Sequence, residues 1–292
     1  MKNNMAILSI RDVNFIKLKS LKKEHLIDFC VHFSIPPSKS IQEMIKNILL
    51  ASDNDQLSTI QINEYIKNLY SGIRIKEIGE TGANHQAIVK ELDKVDAHIW
   101  GMVQGKADAY IQSNYVRKYF RFNELVNAVR KSLFTAMEAY TLCTWYNHWS
   151  TVFLEDLICQ NKKVVPVIKK VKGVDVIWNE QPVDVKATNL PKEWFRDGFT
   201  IDDAIKNPIR ACEYLYTYQG VERFGAENRF FVIVYDRTSP DDSWKIKRDY
   251  SLIKESVESF FSQDLQLDPI NFSFGEKKVP HMAHAKMMFI VK

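Results

Sequence analysis

The stretch from Lys172 to Pro191 reads KGVDVIWNEQPVDVKATNLP and decides how the second half of the chain folds. Two short runs rich in β-branched residues flank Asn179–Pro182, which is a turn-forming sequence, so the stretch predicts a β-hairpin. Because side chains alternate along a strand, Asp184 and Lys186 share one face of the second strand, and the neighbouring valines share the other. Asp175 lies in the first strand among apolar residues.

The charges in this hairpin require an explanation. A charged side chain inside an apolar strand costs several kcal/mol unless it is paired or bound to a metal. Phosphodiester hydrolysis supplies a reason: two converging carboxylates bind a divalent cation such as Mg²⁺, which polarises a phosphoryl oxygen and lowers the pKa of a bound water. A lysine beside them orients that water or stabilises the developing negative charge. The alternative is that Asp184 and Lys186 form an exposed strand pair worth less than about 1 kcal/mol.

The hairpin resembles the catalytic hairpin of the PD-(D/E)xK nuclease superfamily, particularly that of Type II restriction endonucleases. Asp175 matches the first acidic position, Asp184 the (D/E) position and Lys186 the lysine. The proline that usually precedes the first aspartate is absent, since a glycine and a valine stand there. The resemblance covers about residues 146–240 and implies a Mg²⁺-dependent endonuclease that cuts double-stranded DNA.

The resemblance also implies an acidic residue on a helix about twenty positions upstream of the first aspartate. Glu155 occupies that position, and Asp156 is the alternative because it lies closer to the apolar face of the predicted helix. We expect Glu155 to join Asp175 and Asp184 as a metal ligand. Since cutting both strands usually requires two active sites, the resemblance further implies a homodimer.

A separate helical unit is predicted over residues 1–50. Apolar residues recur at helical spacing from 41 to 49, and Ser40 with Glu43 is typical of a capping box. A shorter helix is expected from about Ser20, and two prolines make the connection between the helices extended. This order resembles the SAP family of helix–extended–helix DNA-binding modules, although the glycine usual before the second helix is absent. A solvated helical hairpin is the alternative.

Positive charge indicates where DNA would bind. Residues 1–50 carry eight basic and four acidic residues, an excess equal to the +4 of the whole chain. A further group of lysines precedes the hairpin. Such residues contact phosphates and make binding depend on salt, although a solvated lysine surface gives the same pattern. The candidate DNA-binding lysines are Lys22, Lys23, Lys39, Lys169, Lys170 and Lys172.

Residues 51–145 are expected to be mostly helical and to serve DNA recognition or dimerisation. Between two predicted helices, four aromatic residues interleave with three basic ones. The residues are Tyr110, Tyr115, Tyr119, Phe120, Arg117, Lys118 and Arg121. This pattern can stack on bases and contact phosphates, but it is also typical of a helix core with a basic outer face.

Strands mixed with helices predict an α/β (α+β) domain over residues 146–292, with Arg229–Tyr235 as its best buried strand, and the resemblance implies that this is the PD-(D/E)xK nuclease domain. The predicted fold has a mainly helical N-terminal half and a C-terminal mixed sheet flanked by helices. The composition of the 292 residues, 46% hydrophobic and 26% charged, excludes wholesale disorder.

The sequence also predicts the setting of the protein. Four widely spaced cysteines without a Cys-x-x-Cys motif favour a reducing compartment, and we expect the cytoplasm. We expect no membrane association, because no targeting or bilayer-spanning stretch occurs. No nucleotide cofactor is expected either, because phosphate-binding and dinucleotide-binding loop motifs are absent.

These observations predict a Type II-like restriction endonuclease that cuts double-stranded DNA at a specific sequence with Mg²⁺. A repair, recombination or phage-type nuclease with the same core is the second interpretation. The third is a non-catalytic DNA-binding protein with a decayed core, against which the three hairpin residues argue.

Overall fold

A computed structural model describes residues 7–98, 107–218, 228–274 and 279–292. The helices before the sheet are α1 (Ile10–Lys19), α2 (Lys23–His32), α3 (Ile41–Asp53), α4 (Thr59–Thr81), α5 (His85–Leu92), α6 (Ala107–Ile111), α7 (Phe122–Ala128) and α8 (Phe134–Cys159). A π-helical turn, Gln112–Val116, continues α6, and a second, Val129–Leu133, joins α7 to α8. Residues 122–159 therefore form one continuous helix.

The second half contains the strands β1 (Val164–Val171), β2 (Val174–Trp178), β3 (Gln181–Thr188), β4 (Arg229–Tyr235), β5 (Asp268–Phe274) and β6 (Val279–Val291). The helices among them are α9 (Lys192–Arg196), α10 (Ile201–Lys206), α11 (Pro208–Tyr218) and α12 (Tyr250–Phe261), with a 3-10 helix at Pro240–Arg248. The strands form one sheet in the order β1-β2-β3-β4-β6-β5. β4 is parallel to β3 and β6, and the other neighbours are antiparallel.

Both faces of the sheet are covered by helices. Alternate residues of the central strand β4 face opposite ways: Phe230 and Val232 pack with side chains of α8 and α12, while Phe231 and Ile233 pack with side chains of α9–α11. The predicted α+β class, with a helical N-terminal half and a C-terminal mixed sheet flanked by helices, is confirmed.

The N-terminal helices share a core with the start of the sheet. Apolar residues of α1–α4 pack in one cluster with Val165 of β1 and with Val174 and Ile177 of β2. The helix expected from about Ser20 begins at Lys23, because Ser20 ends a helix that was not predicted, α1.

The start of α3 has half of the predicted capping box. The Ser40 hydroxyl accepts a hydrogen bond from the Glu43 backbone N–H, as expected. The Glu43 carboxylate instead accepts one from the Ser38 hydroxyl, so it does not return a bond to the backbone of Ser40.

Among the helices of the described residues, none is long and apolar enough to cross a bilayer.

A candidate active site at the β2–β3 hairpin

The two aspartates lie side by side because of the register of the hairpin. Its loop has two residues, Asn179 and Glu180, and both have positive φ angles, 46° and 58°. Such a turn matches the twist of the flanking strands and sets their pairing. Val176 pairs with Val183, so the next pair along the antiparallel ladder brings Asp175 beside Asp184.

Asp184 is buried and lies between two cations. Its Oδ1 is 2.7 Å from Nζ of Lys186, which points to the same face of β3, as the sequence predicts. Its Oδ2 is 3.5 Å from Nε of Arg229, the first residue of β4. Asp175 is held differently, because its Oδ2 accepts a hydrogen bond of 2.9 Å from the Val185 backbone N–H. The hairpin therefore presents two carboxylates and one lysine together.

Glu155 of α8 belongs to the same electrostatic cluster. Burial raises the pKa of Glu155 to about 7, and the negative charges of Asp175, Asp156 and Asp184 add to the effect against the opposing charge of Lys186. The pKa of Asp175 is also raised, first by burial and then by Asp184. The structure therefore brings together all four residues that the sequence proposes for catalysis.

Asp156, the alternative helical acid, is engaged elsewhere. Its carboxylate accepts hydrogen bonds from the Tyr70 hydroxyl (2.5 Å) and from Arg74 (2.8 Å to Nη2), and Nε2 of His85 lies 3.0 Å away. Burial alone would raise the pKa of Asp156, but these three partners outweigh burial and lower it. Asp156 thus ties α8 to α4 and α5, and Glu155 is the acid coupled to the hairpin.

A cavity of about 650 Å³ opens next to Glu155, between α4 and α8. Its lining includes Trp149 and Val152 of α8, Arg74 of α4 and Ile168 of β1. The volume is within the range of ligand-binding clefts. Glu155 lines this cavity and is also coupled to the aspartates, so solvent in the cavity reaches the edge of the carboxylate cluster.

The chemistry of the donor set fits a hard divalent cation. Carboxylate oxygens are the ligands that Mg²⁺ prefers, and burial followed by neighbouring negative charges raises the pKa values of Glu155 and Asp175. Within the described ranges, no group of three or more His, Cys, Asp or Glu side chains is arranged to hold a metal ion. Both oxygens of Asp184 instead contact cations. Asp175 and Asp184 lie side by side with Glu155 near both, and these three carboxyl groups are the candidate ligands at this site.

Four of the predicted DNA-binding lysines lie in one region. Lys22 and Lys23 are exposed just after Ser20, and the Ser20 carbonyl accepts a hydrogen bond of 3.0 Å from the backbone N–H of Lys169. Lys169 and Lys172 are exposed at the end of β1 and in the turn after it. Lys39 is exposed in the α2–α3 connection, and the side chain of Lys170 lies outside the described residues.

Arg229 was not singled out from the sequence, although the structure places it against Asp184. Its side chain is only 1% exposed, and its guanidinium carbon is 5.4 Å from the centre of the Tyr216 ring. The available signal was a charged residue at the start of a strongly apolar strand. That signal cannot identify the partner, because Asp184 lies 45 positions earlier in the sequence.

Comparisons with protein-family models, with curated proteins and with solved structures find no match. The functional interpretation therefore depends on the motif in the hairpin and on the geometry around it.

Proposed function

We propose that the protein is a Mg²⁺-dependent endonuclease of the PD-(D/E)xK type, which hydrolyses phosphodiester bonds in double-stranded DNA. One observation carries the proposal: Asp184 lies beside Asp175 on the neighbouring strand and 2.7 Å from Nζ of Lys186. Glu155 contributes a third carboxyl group that is coupled to both aspartates. Two carboxylates and a lysine, next to a third carboxyl group that lines an accessible cavity, are suited to phosphoryl chemistry.

Each residue has a role that follows from its surroundings. Asp175 and Asp184 would hold the Mg²⁺, which supplies Lewis-acid stabilisation of the phosphate when bound. The Val185 N–H fixes the Asp175 carboxylate, and Lys186 places a positive charge next to Asp184, where it can stabilise negative charge on the phosphate. The carboxyl group of Glu155, with a pKa of about 7, can hold or release a proton near neutral pH.

The biological setting is part of the same proposal. We expect cleavage at a specific sequence, as in Type II restriction enzymes, by a homodimer with one such cluster per protomer. The exposed lysines at the α1–α2 corner and at the end of β1 support a polyanionic substrate. All four cysteines are buried and free, which agrees with a reducing compartment such as the cytoplasm.

Plasmid DNA incubated with and without Mg²⁺ tests the activity. We expect discrete fragments only when Mg²⁺ is present, and we expect Asp184→Ala to abolish cleavage because one of the two main metal ligands is lost. Residual turnover within about tenfold of the unmodified protein would contradict the assignment of Asp184. A mobility shift without cleavage would favour a non-catalytic DNA-binding protein.

Lys186→Ala tests the mechanism more sharply. The lost interaction is made mainly in the transition state, so the single-turnover rate should fall by about 100-fold or more while DNA affinity in Ca²⁺ is unchanged. Lys192→Ala removes an exposed lysine just after the hairpin and is the matched control, expected to cut normally. If the Lys186 variant cuts normally, or loses activity only because it no longer folds, Lys186 is a structural partner of Asp184.

A further inference from the structure

Residues 107–140 form a helical arm with a small core of its own. The arm consists of α6 with the first π-helical turn, followed by the first part of the continuous helix that starts at Phe122. Its core centres on Tyr115 and Leu133, and among the described residues every apolar side chain packed in that cluster comes from residues 107–140. Two π-helical turns lie on either side of the bend between its helices, and such turns are frequent at functional sites.

The bend of the arm exposes aromatic and basic side chains together. We define the tip as Val116–Phe122. Phe120 is 91% exposed and Phe122 is 77% exposed. The guanidinium carbon of Arg121 is 5.6 Å from the centre of the Phe120 ring, and Nζ of Lys118 is 5.5 Å from the centre of the Tyr119 ring. The exposed ring of Phe120 is not part of the core of the arm.

The charge of the tip argues for a polyanionic partner. The arm has five basic residues against three acidic ones, and three of the basic residues, Arg117, Lys118 and Arg121, lie in the tip. Arg121 is 3.5 Å from Glu124, whereas no carboxylate in the described part of the chain pairs with Arg117 or Lys118. Two tips facing each other in a dimer would bring these like charges together, so charge disfavours a second copy as the occupant.

Exposed rings next to unpaired cations are the combination that binds unpaired nucleotides: the cations contact phosphates, and the ring stacks on a base. Insertion into an intact duplex would require unstacking of a base step. An unpaired base offers its face without that cost, which favours a single strand as the ligand. We propose that the tip binds single-stranded DNA, with Phe120 stacked on a base and Arg117, Lys118 and Arg121 on the phosphates. The inference rests on the proposed function for its choice of DNA as ligand, and it makes a duplex with an unpaired strand the preferred substrate.

Fluorescence anisotropy of the full chain in EDTA, with a labelled single strand and the matching blunt duplex, tests the inference without cleavage. Phe120→Ala should weaken single-strand binding by roughly 5- to 150-fold, the range for loss of one stacked base, and leave duplex binding unchanged. Phe120→Trp should bind the single strand as tightly as the unmodified protein, because the larger ring also stacks on a base. Combined replacement of the three cations by alanine should reduce the salt slope of single-strand binding by about 2.

Phe134→Ala is the matched control, since Phe134 is also on the arm and 60% exposed but lies outside the tip. Its affinity for the single strand should not change. The inference is overturned if the tip variants bind the single strand like the unmodified protein, or if Phe120→Ala affects only self-association measured by light scattering.

Plasmid cleavage separates the two proposals. If the plasmid is cut while tip variants bind normally, only this inference fails; if nothing is cut but tip variants lose the single strand, only the nuclease proposal fails.

Discussion

Glu155 and Asp156 are adjacent on α8 and differ in what surrounds their carboxyl groups. Glu155 lies among other carboxyl groups, so burial and repulsion favour its protonated form. Asp156 lies among the donors Tyr70, Arg74 and His85, so its ionised form is favoured. The ionised form of Glu155 is thus destabilised, as is common in active sites, and Asp156 holds α4, α5 and α8 together.

Exchanging each acid for its amide tests this difference. Asp156→Asn should lower the free energy of unfolding by about 2 kcal/mol, because the half-buried Arg74 keeps only its second partner, Glu77, and charge-assisted hydrogen bonds to the Asp156 carboxylate are lost. Glu155→Gln should leave stability unchanged or slightly higher, because a disfavoured charge is removed, and it should reduce cleavage strongly. Urea unfolding and plasmid cleavage of both variants check the assignment. The opposite pattern would make Asp156 the functional acid.

His98 gives the stability of the protein a defined dependence on pH. Burial and then the charge of Lys247 lower the pKa of His98, against an opposing hydrogen bond with Asn147. The unfolded chain therefore takes up a proton near pH 6.5 that the folded protein does not, so stability is lost as the pH falls below about 6.5. Urea unfolding above and below that pH should show a smaller loss for His98→Gln than for the unmodified protein. An equal loss would assign the dependence to other groups.

At the scale of single elements, the β2–β3 hairpin was predictable because its signals are local. Turn residues, alternation and the spacing of Asp184 and Lys186 all lie within one short stretch, and the structure confirms their placement on one face. α1 was missed because two of its apolar residues, Ile10 and Phe15, are exposed while Asn14 and Lys17 are buried, which blurs its helical pattern. The contacts of Arg229 with Asp184 and of Arg74 with Asp156 join distant parts of the chain, so no local pattern reports them.

The loop of the hairpin is tied to α1 by a buried charge. Nζ of Lys17 is fully buried against the carboxylate of Glu180. Glu180→Gln should lower the free energy of unfolding by about 3 kcal/mol, because the lysine is left without its counter-ion. Adding Lys17→Met should recover most of the loss. Asp264→Asn, which breaks the exposed pair with Lys163, is the control and should cost under about 1 kcal/mol in the same urea titrations. If the double variant does not regain the lost free energy of unfolding, Lys17 contributes through its packing rather than through its charge.

At the scale of the whole molecule, the N-terminal helices share a core with β1 and β2, and their exposed lysines lie close to those at the end of β1. The α1–α2 corner is bonded to β1 through Ser20 and Lys169, and apolar residues of α1–α4 pack on β1 and β2. Deletion of residues 1–50 would therefore expose Val165, Val174 and Ile177 and would not report DNA binding alone. Point substitutions at the surface are the better test of where DNA lies.

Joint replacement of Lys22, Lys23, Lys169 and Lys172 by alanine should weaken duplex binding and flatten its salt dependence. Each phosphate contact contributes about 0.9 to the slope of log affinity against log salt, so loss of four should reduce the slope by about 3 to 4. The control replaces four lysines that are each paired with a carboxylate, Lys76, Lys94, Lys245 and Lys254, and should leave the slope unchanged.

If the two N-terminal lysines and the two near β1 lie on one DNA path, each pair removed alone should account for about half of the change. A change produced wholly by one pair would place the duplex on one side only, and an unchanged slope for the fourfold variant would exclude this face as the DNA-binding surface.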